Sequence, residues 1–246
     1  MATMRPESAA KAGGTRTGGA PKAAAAPKAG GAAKAAGAAR PEGAGESELV
    51  KLGHGPVLGS RKRAAIMTAG LELFAERGFH GTTVPALAAK ARVGAGTFYR
   101  YFASKEALVN ELYQYWKTEY GHALLKNVDF RYFGSARALF HEVWARLRMF
   151  ASNNPNVLDF LDLHHHGAYL DEESRRVERN VLSKLKGFVE EAQRNQVLRR
   201  VSSPVLVAIV WGAFNGLFRA GADGYLKLDQ KTYDEAEEAV WSAIRV

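Results

Sequence analysis

Apolar residues recur three and four positions apart through most of the chain after residue 60, the spacing that puts them on one face of a helix. Ile66, Ala69, Gly70, Leu73 and Phe74 mark a first helix, and Gly78 is its expected stop. Thr83 is a candidate N-cap and Pro85 falls in the first turn of a second helix carrying Leu87, Ala88 and Ala91. After a break at Arg92, Val93 and Gly94, a shorter helix is predicted over 95–102, with Phe98 and Phe102 four apart on one face. Leu108, Leu112, Trp116, Tyr120 and Ala123 define a long helix over 104–127. Further helices are predicted over 135–153, from Pro155, from an Asp171 cap, from a Ser203 cap followed by Pro204, and over 231–244. In the helix after Asp171, Val177, Val181, Leu182, Leu185, Phe188 and Val189 are expected to face inward. No alternating run bounded by turns suggests a strand, so the fold class is all-α.

The stretch 82–105 carries the most specific chemistry. Two short helices joined by a tight turn, with small residues opening the second, are what a helix-turn-helix needs. Ala95 and Gly96 would let the backbone approach base edges in a groove about 12 Å wide. Thr97 and Tyr99 offer hydroxyls and Arg100 a cation to the phosphates, with Tyr101 beside them. Thr83 caps the preceding helix, and Lys105 opens the next at phosphate height. Arg61 and Lys62 precede the first helix, which should pack across the other two and complete a three-helix unit. The candidate DNA contacts are therefore Arg61, Lys62, Thr83, Ala95, Gly96, Thr97, Tyr99, Arg100, Tyr101 and Lys105. From these residues alone, a structural helical hairpin is the competing reading.

The run Thr82-Thr83-Val84, Leu87-Ala88, Val93, Gly96-Thr97-Phe98-Tyr99-Arg100-Tyr101-Phe102 and Ser104-Lys105-Glu106-Ala107-Leu108 resembles the tetracycline-repressor (TetR) family of bacterial regulators. The strong likeness covers residues 61–113; beyond it, only the number and order of helices match. Arg92 stands where the family commonly has glycine, Gly94 where it has a polar cap, and Ala95 where a polar residue is common. Pro85 and Ala86 replace the more usual charged residues. These departures thin out the side chains able to read bases. The resemblance implies a homodimer on a palindromic double-stranded DNA operator. It further implies a helical body that binds a small-molecule effector and dimerises.

Charge divides the chain. The net charge of +9 is made up of +4 over residues 1–56, +6 over 57–105 and −1 over 106–246. A polyanion is the natural partner of the basic half. Residues 1–57 repeat Ala, Gly, Lys and Pro with almost no large apolar side chain, a composition too poor in buried surface to fold, and are expected to be a disordered tail. Lys11, Lys22, Lys28 and Lys34 make that tail a candidate non-specific DNA arm, and an architectural DNA-binding protein is the alternative function. The expected division is then tail 1–57, DNA-binding domain 58–118 with the motif at 83–102, and body 119–246. The chain has no cysteine, which excludes a disulfide framework and fits the cytoplasm.

In the second half, the helix from Pro204 is apolar almost all round, yet its roughly fifteen residues before Arg219 fall short of a membrane span of about 20 residues, so no membrane partner is expected. Ala208, Gly212, Gly216 and Ala220 form a stripe of small residues suited to a subunit contact. Val207, Trp211, Phe214 and Phe218 lie opposite. Candidate effector-binding residues are Trp116, Tyr120, Trp144, Leu147, Phe160, His164, Trp211 and Phe214. Successive helical residues point about 100° apart, so His164, His165 and His166 cannot jointly chelate one ion, and no metal or cofactor is expected. There is no GxSxG elbow, phosphate loop or dinucleotide turn, and no catalytic residue is assigned. The residues themselves point to DNA binding and a helical body; the family resemblance implies a ligand-responsive transcriptional regulator in the repressor mode, and no enzyme is expected.

Overall fold

Most helices begin where a side chain can take up a free amide. Ser60, Thr83, Ser104, Ser135, Asp171 and Asp229 accept from the amides of Arg63, Ala86, Ala107, Ala138, Ser174 and Thr232. In the computed structural model, which describes residues 60–128, 135–164 and 167–246, these caps open α1 (Arg61–Gly81), α2 (Val84–Lys90), α4 (Lys105–Leu125), α5 (Ala136–Asn153), α7 (Glu172–Arg194) and α9 (Gln230–Ile244). α3 (Ala95–Tyr101), α6 (Pro155–His164) and α8 (Ser203–Ala222) complete the order. Among the described residues the only extended pairing is a single bridge between Leu198 and Arg245. The disordered-tail expectation falls on residues outside the described set, as do His165 and His166.

α1 kinks at Gly78, whose φ of 68° suits glycine, and runs on as a short turn to Gly81. Its face of Ile66, Ala69, Gly70, Leu73 and Phe74 is buried. Gly70 lets α1 close on α4, since a Cβ there would stand 2.9 Å from Leu112 Cδ1. Leu87, Phe98 and Phe102 complete the core of the three-helix head. α1 also packs on α6, where Phe74 meets Phe160 and His164, with ring centroids 6.3 Å and 5.9 Å away. α4 continues without a break from the head into the body and packs there on α5 and α7. Residues 118 and 119, the expected domain boundary, both fall inside α4.

Three expectations need correction. The cap of α8 is Ser202, which makes no side-chain cap bond, while Ser203 is a buried first residue of the helix. α8 has 20 residues, and by length and composition it is long and apolar enough to cross a membrane. Its inner face is nevertheless tied to the body: Asn215 Nδ2 donates to Asp162 Oδ1 at 2.7 Å, and Arg219 pairs with Asp162. Leu182 on α7 is exposed, not inward, because its position turns away from both α4 and α8.

Candidate nucleic-acid interface and body cavity

The first candidate surface is the open side of α3. Phe98 and Phe102 are buried with centroids 5.9 Å apart, which turns the opposite side of the helix outward. Ala95, Gly96, Tyr99 and Arg100 are exposed there, Tyr99 at 56%, and Thr97 is half-buried. A Cβ added to Gly96 would meet nothing within 4 Å, so the smooth opening turn is set by composition and not by crowding.

The N-terminus of α1 sits against the end of this helix. Ser60 Oγ donates to Tyr101 Oη at 2.8 Å, and Arg100 Nη2 approaches the same oxygen at 3.3 Å. These two bonds, with the charges of Arg100 and Lys62, hold the Tyr101 pKa below its usual value. Arg61 and Lys62 are exposed beside this contact. Arg63 turns inward, pairing with Glu111 of α4 and lying 5.2 Å from the centroid of Phe102.

Two expected DNA contacts are also engaged within the protein. The Thr83 hydroxyl accepts the amide of Ala86 at 3.3 Å. Lys105 Nζ donates to the carbonyls of Phe79 and Thr82 at 2.7 Å and 2.8 Å, so two of its three donors cap the end of α1. Arg92, in the turn between α2 and α3, is exposed and has a φ of 54°, a left-handed conformation disfavoured for a side chain with a Cβ. The family pattern pointed to this position; its backbone conformation could not be read from periodicity.

The second candidate site is a cavity of about 90 Å³ between α4, α5, α7, α8 and α9. Of the expected effector residues, Tyr120, Trp144, Leu147 and Trp211 line it. The other four do not. Trp116 and Phe214 are packed in the core, Phe214 edge-on to Trp144 at 5.4 Å. Phe160 and His164 belong to the joint with α1, because α6 presents them to Phe74 and not to the cavity. In that joint His164 Nδ1 bonds the Tyr169 hydroxyl, and Nε2 lies 3.4 Å from the Phe74 carbonyl. Burial brings the His164 pKa down to about 4. Sequence reasoning missed Phe140, Val143, Phe188, Leu206 and Val210, which line the cavity. Their only signal was apolar spacing, which core residues share.

The stripe of α8 falls on the side away from this cavity. Ala208, Gly212 and Gly216 are exposed and Ala220 is half-buried, alongside exposed Val205 and Ile209. Beyond the neighbouring backbone of its own helix, a Cβ built on Gly212 or Gly216 would meet no described atom within 4 Å. Among the described residues, no group of three His, Cys, Asp or Glu could hold a metal ion.

Comparison with known proteins follows the same division. Residues 66–112 match the family model described as bacterial regulatory proteins, tetR family. Residues 118–246 match that of a tetracyclin repressor-like C-terminal domain. The HTH-type transcriptional regulator UidR of Escherichia coli is 38% identical over 50 residues, which cover 20% of this chain and 26% of UidR. The matched stretch thus spans only about a fifth to a quarter of the length of the curated relatives. A putative TetR-family regulator from Vibrio parahaemolyticus is 26% identical with a TM-score of 0.58, over 75% of this chain and 99% of that one. The fold is also that of FadR from Bacillus subtilis, solved in complex with stearoyl-CoA, at 20% identity and a TM-score of 0.57, over 73% of this chain and 98% of FadR.

Proposed function

This chain belongs to the tetracycline-repressor family of bacterial regulatory proteins, and from that premise we propose that it is a dimeric repressor which a small molecule releases from a palindromic operator. The helix-turn-helix of a transcriptional regulator is the family's head, and the fold is that of transcription regulators, not of an enzyme class. The observation that carries the effector part is the continuity of α4. Its first residue, Lys105, caps α1 of the head, and Tyr120 and Leu124 on the same helix line the cavity. Anything that fills the cavity bears on α4, and α4 carries the head. The structural neighbour FadR was solved with stearoyl-CoA, which supports a small-molecule reading of the body.

In this reading Arg61, Lys62 and Arg100 meet phosphates, and Tyr99 and Thr97 stand nearest the groove. Two heads set about 34–36 Å apart read successive major grooves. The domains divide near residue 118, along α4. The protein works in the cytoplasm, and α8 meets its symmetry mate instead of a bilayer. An architectural DNA-binding protein is not favoured, since non-specific coating has no use for a cavity joined to the head.

A footprint of the purified protein on its own promoter region tests the proposal. One short protected palindrome at moderate salt is expected. Arg100→Ala should lower affinity for specific and random DNA alike and flatten the salt slope by about one unit. Uniform coating of every fragment would refute the operator reading.

A further inference from the structure

The proposed function leaves the effector's chemistry open, and the cavity wall bears on it. The described residues that line the cavity include no Asp, Glu, Lys, Arg or His. Aliphatic side chains alternate there with the rings of Tyr120, Phe140, Trp144, Phe188 and Trp211. Lys117, one turn before Tyr120 on α4, is buried and pairs with Glu178 at 3.4 Å. An ion placed among the lining side chains would lose its hydration and find no counter-charge from them, which is costly.

The wall's polar groups are few. Trp144 Nε1 is buried without a hydrogen-bond partner. Tyr120 is 4% exposed, packs edge-on to Phe150 and Trp211, and brings a phenolic hydroxyl. Burial raises the Tyr120 pKa, so that hydroxyl remains a neutral O–H donor. With so few polar groups on an otherwise apolar wall, the space is suited to hydrocarbon.

Resting on the ligand-released reading above, we infer that the effector is an uncharged, mainly hydrocarbon molecule with one hydrogen-bonding oxygen, a carbonyl or hydroxyl, that meets the Tyr120 hydroxyl. Cationic and anionic effectors are disfavoured by the wall. Tyr120 sits on α4, so the one polar contact forms on the helix that carries the head.

Binding is tested on the full chain without DNA, by calorimetry and by the fluorescence of Trp144 and Trp211. The probes are octanol, octanoate, octyltrimethylammonium and cyclohexane at neutral pH. Octanol should bind saturably, and the two ions at least about tenfold more weakly. Tyr120→Phe should weaken octanol by about three- to tenfold and leave cyclohexane unchanged. Val210→Phe, which fills the cavity, should abolish binding of both. An ion that binds as tightly as octanol and is lost in Val210→Phe overturns the inference. So does octanol binding that survives Val210→Phe, or that ignores Tyr120→Phe. Should Val210→Phe fail to fold, the Tyr120→Phe contrast between octanol and cyclohexane decides alone. Operator affinity is measured separately. Probes that bind with the expected selectivity but never change DNA affinity would sink the ligand-released reading while leaving the chemical assignment standing.

Discussion

Lys105 lies over the ring of Phe79, its Nζ 4.0 Å from the centroid, and donates to the Phe79 carbonyl at 2.7 Å. Phe79 in turn stacks on Tyr169 with centroids 3.9 Å apart. The start of α4, the end of α1 and the segment before α7 therefore meet at one point. A rotation of α4 has to break or carry this point, which makes it a mechanical joint between head and body.

Lys105→Met tests the joint. The variant keeps the aliphatic stem but loses two charge-assisted bonds to carbonyls and the contact with the ring. Each bond to a charged group contributes about 1.5–3 kcal/mol, discounted here because Lys105 is only half-buried. We expect a loss of about 1–2 kcal/mol in urea denaturation. A melting curve identical to wild type would mean the ammonium belongs to the DNA surface alone.

Arg92 offers a gain. Its φ of 54° costs a residue with a Cβ about 1–2 kcal/mol, and glycine avoids that cost at an entropic penalty of about 0.5–1 kcal/mol. Arg92→Gly should raise stability by about 0.5–1 kcal/mol, read as a higher urea midpoint at unchanged slope. A lower midpoint would show that the exposed guanidinium contributes more than its backbone conformation costs.

The joint has a pH signature. His164 is held neutral with its pKa down at about 4, against 6.5 in the unfolded chain. Its contribution is complete above pH 6.5. It is lost as pH falls from about 6.5 to about 4, where the unfolded chain takes up a proton that the folded one refuses. The loss is on the order of 3 kcal/mol across that window. His164→Phe should flatten the pH dependence of unfolding there, after subtraction of what the carboxylates contribute in both proteins. An unchanged slope between pH 6.5 and 5 would place the His164 ring in contact with solvent.

The head was legible in the sequence because its signals are local. Caps at Thr83 and Ser104, the glycine stop at Gly78 and the Phe98–Phe102 pair each depend on residues a few positions apart. The cavity was only half legible. Tyr120 and Phe160 look alike along the chain, as aromatic residues on apolar helix faces. What separates them is which helix they meet: α5 and α8 for Tyr120, α1 for Phe160. Lys105 shows the same limit. A cation at a helix start suits a phosphate, and nothing local reveals two carbonyls 23 and 26 residues back along the chain.

The proposed subunit contact can be tested with little disturbance to the protomer. The exposed strip Val205, Ala208, Ile209, Gly212 and Gly216 on α8 is apolar, and a two-fold contact would let it cover itself. Within one chain, a Cβ on Gly212 or Gly216 meets nothing within 4 Å. Gly212→Leu with Gly216→Leu should therefore leave the protomer folded, and helix propensity favours the exchange. Across a dimer seam the same side chains would hold the two helices apart, and overpacking costs about 1–3 kcal/mol per site, doubled by symmetry. Sedimentation should show monomers, or dimers weakened by orders of magnitude, with far-ultraviolet circular dichroism unchanged. Operator affinity should fall steeply, because a single head covers one half-site, while weak half-site binding survives. A double variant that stays dimeric and fully operator-competent would place the seam elsewhere, and α7, with exposed Leu182, would be the helix to substitute next.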